Sequence, residues 1–126
     1  SQGRYTEAEP LFLEALDLRK RLLGDNHPDV ATSLNNLAAL YESQGRYTEA
    51  EPLFLEALDL TKRLLGDNHP SVATSLNNLA YLYQSQGRYT EAEPLYLEAI
   101  NIFREGLREN HSHTQTVYRN YRGMLS

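Results

Sequence analysis

The chain has 126 residues, 40% hydrophobic and 23% charged, a balance that suits one folded domain and excludes a disordered segment. Its net charge of −5 repels a phosphate backbone and sets nucleic acid aside as a partner. With no cysteine for thiolate sites and no apolar run of the ~20 residues that cross a bilayer, a cytoplasmic protein without a membrane span is expected. The chain starts at Ser1 with neither a Met nor a leader pattern, as expected of a piece cut from a longer protein.

The stretch S-Q-G-R-Y-T-E-A-E-P-L opens at Ser1 and returns at Ser43 and Ser85, a period of 42 residues. Units 1–42 and 43–84 differ only at Arg19/Thr61, Asp29/Ser71, Ala39/Tyr81 and Glu42/Gln84, which points to recent duplication. The third unit follows the pattern to Glu98 and then drifts, as the last unit of a stack must when it faces water.

In chain order, the first expected element is a helix from about Tyr5 to Leu23, here called type B. The next, type A, runs from Pro28 to Gln44. Its apolar positions Val30, Ala31, Leu34, Leu37, Ala38, Leu40 and Tyr41 recur at steps of three and four and mostly share one face. Pro28 suits the first turn, and Gly45 can take the left-handed conformation that closes the helix. A second type B helix is expected from about Thr48 to Leu65. Thr48 and Glu51 read as a T-x-x-E capping box, and Pro52 reads as a first-turn proline. Gly66 ends this helix, and the pattern repeats through Gly87. A degenerate helix from about Thr114 to Leu125 closes the chain. Links of about four residues make A and B antiparallel neighbours. The expected organisation is one array: a type B half-repeat over 1–27, repeats over 28–69 and 70–111, and a capping helix over 112–126.

Leu34-x-x-Leu37-Ala38-x-x-Tyr41, followed by Gly45, Tyr47, Ala50, Phe54 and Ala57, resembles the tetratricopeptide repeat signature. It recurs as Leu76, Leu79, Ala80, Tyr83, Gly87, Tyr89, Ala92, Tyr96 and Ala99. The 42-residue length, with H-P-D-V-A-T-S-L-N-N-L-A and G-R-Y-x-E-A-E-P-L, is similar to the kinesin light chain type of repeat. The resemblance spans Ser1 to about Leu107. It implies an all-α fold, a right-handed superhelical solenoid of antiparallel helix hairpins with the A helices on the concave side. It also implies binding of a peptide or partner helix in that concavity.

Most signature residues read as packing. Ala38, Ala50 and Ala57 stand where helices approach within roughly 8–10 Å, and Phe12, Phe54, Tyr41 and Tyr83 read as core. Function is then expected on the face of each A helix that the core leaves over. That stripe is Thr32, Asn35, Asn36, Ala39, Glu42 and Ser43 in one repeat, and Thr74, Asn77, Asn78, Tyr81, Gln84 and Ser85 in the next. An Asn amide offers a donor and an acceptor, which suits a peptide backbone whatever its side chains. The resemblance implies such a contact for Asn36 and Asn78, while a bond between neighbouring helices is the alternative use of these amides. Tyr81 would add an aromatic anchor. Arg119 and Asn120 align with Asn35 and Asn36 on the last helix, where Arg119 could meet a carboxylate or serve a solvated cap. One Arg among Asn, Thr, Glu and Gln points away from an acidic ligand.

Catalytic chemistry is not expected. His27, His69 and His111 recur with the repeat, but equivalent positions on stacked helices are about 10 Å apart and cannot share a zinc ion with ligands at about 2 Å. They read as helix-start residues, His111-x-His113 has no third ligand, and neither a metal nor a cofactor is expected. No G-x-S-x-G, H-E-x-x-H or glycine-rich phosphate loop occurs, so the chain reads as no enzyme. A protein-interaction scaffold is therefore expected, with a self-stacking spacer or oligomerisation module within a larger protein as the alternative. The helix from Tyr5 to Leu23 should expose an apolar face and drive self-association, end to end or by exchange of that helix.

Overall fold

The computed structural model describes residues 2–106 and 111–125, with side chains described for 7–105, 117 and 119–125. The described residues form six helices and no strand: α1 (Gln2–Leu23), α2 (Pro28–Ser43), α3 (Tyr47–Leu65), α4 (Pro70–Ser85), α5 (Tyr89–Gly106) and α6 (His111–Leu125). The type A helices are α2, α4 and α6, and the type B helices are α1, α3 and α5.

Local chemistry explains the helix ends. The imidazole Nδ1 of His27 accepts the Asp29 backbone N–H at 3.0 Å, and that of His69 accepts the Ser71 N–H at 3.0 Å. Each His is thus a side-chain N-cap, with proline at the first helical position behind it. At the other end, Gly45 has φ 74° and Gly87 φ 75°. The Arg46 N–H reaches the Tyr41 carbonyl at 2.8 Å, and the Gly45 N–H reaches that of Glu42 at 2.9 Å. This is the paired bonding of a Schellman turn, and Arg88, Tyr83, Gly87 and Gln84 repeat it after α4.

Two expectations at the start of α3 are corrected. Thr48 and Glu51 do not make a capping box, because the helix already begins at Tyr47. The Arg46 carbonyl accepts the first helical bonds, from Glu49 N–H at 3.2 Å and Ala50 N–H at 3.0 Å. The Arg46 side chain completes the start with Nε–H to Glu49 Oε1 at 2.8 Å and Nη2–H to Glu49 Oε2 at 2.5 Å. Pro52, with its counterparts Pro10 and Pro94, therefore lies inside the helix, past its first turn, where its ring denies Thr48 the amide donor four residues on.

The chain divides into two compact units, one ending at Leu64 and the other starting at Leu65. In the first, α1 packs on α2. Arg19 on α1 donates to the Asp29 carbonyl and to the Ser33 hydroxyl, both at 3.0 Å. Glu9 on α1 accepts the Tyr41 hydroxyl at 3.2 Å and Arg46 Nη1–H at 2.7 Å, and the Arg46 guanidinium lies 4.3 Å from the Tyr41 ring centre. Val30, Leu34, Leu37, Ala38, Ala50, Phe54 and Ala57 are buried.

In the second unit α5 packs against α4 and α6, and α4 also touches α6. Leu76, Leu79, Ala80, Ala92, Tyr96, Ala99 and Ile102 form its core. Each large aliphatic side chain so buried contributes about 1.5–3 kcal/mol. The Tyr96 and Tyr121 rings meet tilted, with centres 6.3 Å apart, which ties α6 to α5.

Candidate peptide-binding stripe

In the first unit the stripe lies on α2. Thr32, Asn36 and Ala39 are exposed, and Thr32 returns its hydroxyl to the Pro28 carbonyl at 3.3 Å. Asn35 and Glu42 are half-buried, and Asn35 Oδ1 and Glu42 Oε2 are buried acceptors without a hydrogen-bond partner among the described residues. Burial pushes the Glu42 carboxyl above the usual glutamate range.

In the second unit the same stripe is differently satisfied. The Asn120 amide on α6 donates to Asn77 Oδ1 on α4 at 3.0 Å, so this pair joins two neighbouring A helices. Tyr96 on α5 donates its hydroxyl to Gln84 Oε1 at 2.7 Å. At the place of Tyr96 the first unit has Phe54, which brings no hydroxyl, and at the place of Gln84 it has Glu42. That single missing hydroxyl accounts for the unpaired Glu42 oxygen. Asn78 is half-buried, and Thr74, Tyr81 and Arg119 are exposed, Tyr81 to 47%. Arg119 on α6 lies in the same unit as Asn78 and Tyr81 on α4.

The sign of the Glu42 shift makes a test. A carboxyl raised in the fold holds its proton over a pH window in which the unfolded chain has released it. That contribution is complete below the ordinary glutamate range of about pH 4 and is lost as pH rises through the folded value. Gln stands at the equivalent place in the next repeat, so Glu42→Gln is accommodated. Chemical denaturation should show the variant equal to the parent at low pH and more stable by about 1 kcal/mol at neutral pH. A difference independent of pH would rule out burial of the charge as the cause.

Two features were absent from the sequence reading. One is the ladder of Glu9, Tyr41, Arg46 and Glu49, in which the Arg46 hydrogen bonds hold the Glu49 carboxyl below the usual range. Arg88 does the same to Glu91. The R-Y-x-E spacing carried that signal, since residues three apart meet on a helix start. The other is the bond by which the His27 and His69 imidazoles cap their helices, a detail that the helix-start reading of these residues did not specify. Among the described residues, no three His, Cys, Asp or Glu side chains gather as metal ligands, and no helix is long and apolar enough to cross a membrane. The His111 and His113 side chains lie outside the described ones.

The family model for the tetratricopeptide repeat matches residues 1–62 and 32–105, most of the chain. The chain belongs to the tetratricopeptide repeat family. Two solved structures resemble this tetratricopeptide chain over nearly its full length. BtubC (BKLC) from P. vanneervenii superposes with a TM-score of 0.87 at 26% identity, covering 97% of this chain and 49% of that one. A Podosopora anserina kinesin light chain candidate with nearly identical TPR-like repeats gives 0.85 at 26% identity, covering 98% of this chain and 58% of that one. The chain thus spans about half the length of these proteins. No curated protein sequence matches it. Fold and family together establish an all-α tetratricopeptide chain with repeats of the kinesin light chain type.

Proposed function

We propose that the chain is a protein-interaction scaffold that binds a peptide or partner helix on the exposed stripe of its A helices. Tetratricopeptide repeats generally mediate protein–protein interaction, which makes a scaffold a better reading than an enzyme. The observation that carries the finer reading is Tyr81. It is a large aromatic side chain, 47% exposed, on a helix whose other aromatic, Tyr83, is buried. It shares its unit with the half-buried amide of Asn78 and the exposed guanidinium of Arg119. An aromatic surface, an amide for backbone groups and a single cation suit a neutral or mixed peptide with one carboxylate. On α2, Asn36 and Thr32 offer polar groups, and Ala39 at the place of Tyr81 leaves that face without an aromatic anchor. A cytoplasmic setting fits a chain without cysteine.

Asn77 and Asn120 are read as joining α4 to α6, with their remaining amide groups available to a ligand. A peptide array probed with the chain and with Tyr81→Ala should show the same spots weakened about tenfold or more, because truncating an aromatic anchor commonly costs 2 kcal/mol or above. Tyr81 is exposed, so helical circular dichroism should not change. Retained binding in a Tyr81→Ala, Asn78→Ala double variant would remove the stripe from consideration.

A further inference from the structure

Two of the positions at which units 1–42 and 43–84 differ stand three residues apart on the A-helix stripe: α2 has Ala39 and Glu42 where α4 has Tyr81 and Gln84. On α4 the polar member is served within the fold, since Gln84 Oε1 accepts the Tyr96 hydroxyl at 2.7 Å. On α2 it is not. Glu42 Oε2 is shut off from solvent and accepts no hydrogen bond among the described residues. The same holds for Asn35 Oδ1, two helical turns earlier on the same face and about 10 Å away along the axis. α2 carries no lysine or arginine of its own. The described arginines of its unit are engaged elsewhere: Arg19 with the Asp29 carbonyl and Ser33, Arg21 with Asp17, Arg46 with Glu9 and Glu49, and Arg63 with Asp59. Burial alone raises the Glu42 carboxyl, and no cation draws it back down. Glu42 as a whole is only half-buried, and Ala39 on the same side of the helix is exposed, which keeps the residue at the surface of the stripe.

We infer that Glu42 is a cation subsite of the stripe, taking the ammonium or guanidinium group of a basic side chain in the bound peptide; this rests on the stripe being the peptide-binding face proposed above. The methyl group of Ala39 leaves space beside the carboxylate for the aliphatic stem of that side chain, a place that Tyr81 fills on α4. The head group brings the N–H donors that Glu42 lacks, and hydrogen bonds between two charged groups are the strong ones. A carboxylate half removed from water and left without a partner costs the fold stability, and an arriving cation offsets that cost. Glu42 therefore separates basic from neutral peptides more sharply than a fully solvated surface carboxylate would. Three residues of extended chain span about the 10 Å back to Asn35, whose Oδ1 suits a backbone N–H of the same peptide. The two repeats then read different chemistry from nearly the same sequence, a positive side chain at Glu42 on α2 and an apolar or aromatic one at Tyr81 on α4.

A double-mutant cycle between chain and peptide tests the assignment. An array of random-sequence peptides supplies the binders, and each Arg or Lys in a binder is then replaced in turn by citrulline or acetyl-lysine, which keep the length and drop the charge. Affinities are measured by fluorescence anisotropy for the parent chain and for Glu42→Gln, with helical circular dichroism confirming that the variant folds. The expected result is one basic position whose neutral replacement weakens binding to the parent by about tenfold or more. The same replacement should change binding to Glu42→Gln by about twofold at most, because the partner charge is already gone. Binders without a basic residue, or equal losses on both chains, would overturn the cation subsite. If such binding still falls in Tyr81→Ala, the stripe stands without it. Binding of no peptide at all would overturn the stripe and the subsite together.

Discussion

Ala80→Arg is expected to unfold the second unit. Ala80 has no solvent exposure and stands on α4, which packs against α5, where Ala92 and Ala99 are fully buried as well. A side chain of guanidinium length cannot fit there in any rotamer, and overpacking of a much smaller kind already costs about 1–3 kcal/mol. The charge adds the larger penalty, since a buried cation without a partner costs several kcal/mol more. Set against a total stability of about 5–15 kcal/mol for a domain, the sum leaves little folded protein. The chain itself carries the contrast, because Arg122 on α6 occupies the equivalent place and is exposed. Thermal melts with hydrogen exchange resolved by residue should show loss of protection across α4, α5 and α6. A variant that melts within a few degrees of the parent would mean that α4 and α5 do not pack closely at Ala80.

Tyr96→Ala comes next in size. Its side chain is fully buried, its ring leans on Tyr121, and its hydroxyl bonds Gln84 at 2.7 Å. Truncation removes the apolar contacts and leaves a cavity, for about 3–5 kcal/mol in total, and it strands the Gln84 acceptor. Tyr96→Phe separates the two contributions. The first unit folds with Phe54 at this place, so the ring without the hydroxyl is tolerated, and a cost of about 1 kcal/mol is expected from the lost hydrogen bond alone. Denaturant titration of both variants checks the division. A Tyr96→Phe variant as damaged as Tyr96→Ala would show that the hydroxyl, not the ring, holds α4 and α5 together.

The Gln84–Tyr96 and Glu42–Phe54 pairs show how far a repeat can be read from sequence. Both differences stand in plain view at 42-residue spacing, and the first lies on the predicted stripe. The sequence does not reveal that Tyr96 and Gln84 touch, because they are twelve residues apart on different helices. Asn77 and Asn120 are 43 residues apart, and nothing in either neighbourhood announces their bond. The Thr48 capping box failed for a related reason. T-x-x-E satisfies the pattern, but the Schellman turn at Gly45 delivers Arg46 directly to the start of α3, and its bidentate bond with Glu49 fixes an earlier boundary.

The sequence by itself determined the 42-residue repeat, the number and order of the helices, the glycine-closed turns at Gly45, Gly66 and Gly87 and the alanines at close approach. These follow from local periodicity and from backbone conformations that only certain residues adopt, and such information is written into neighbouring positions. The tertiary structure decided which polar groups on the stripe are already satisfied, where Glu42 loses its water, and how the leucines of α1 differ from identical leucines on α3. Those properties belong to the partners a side chain meets. Two segments of nearly the same sequence, Gln2–Leu23 and its copy 42 residues on, acquire opposite surfaces because burial depends on what packs against a helix and not on the helix alone.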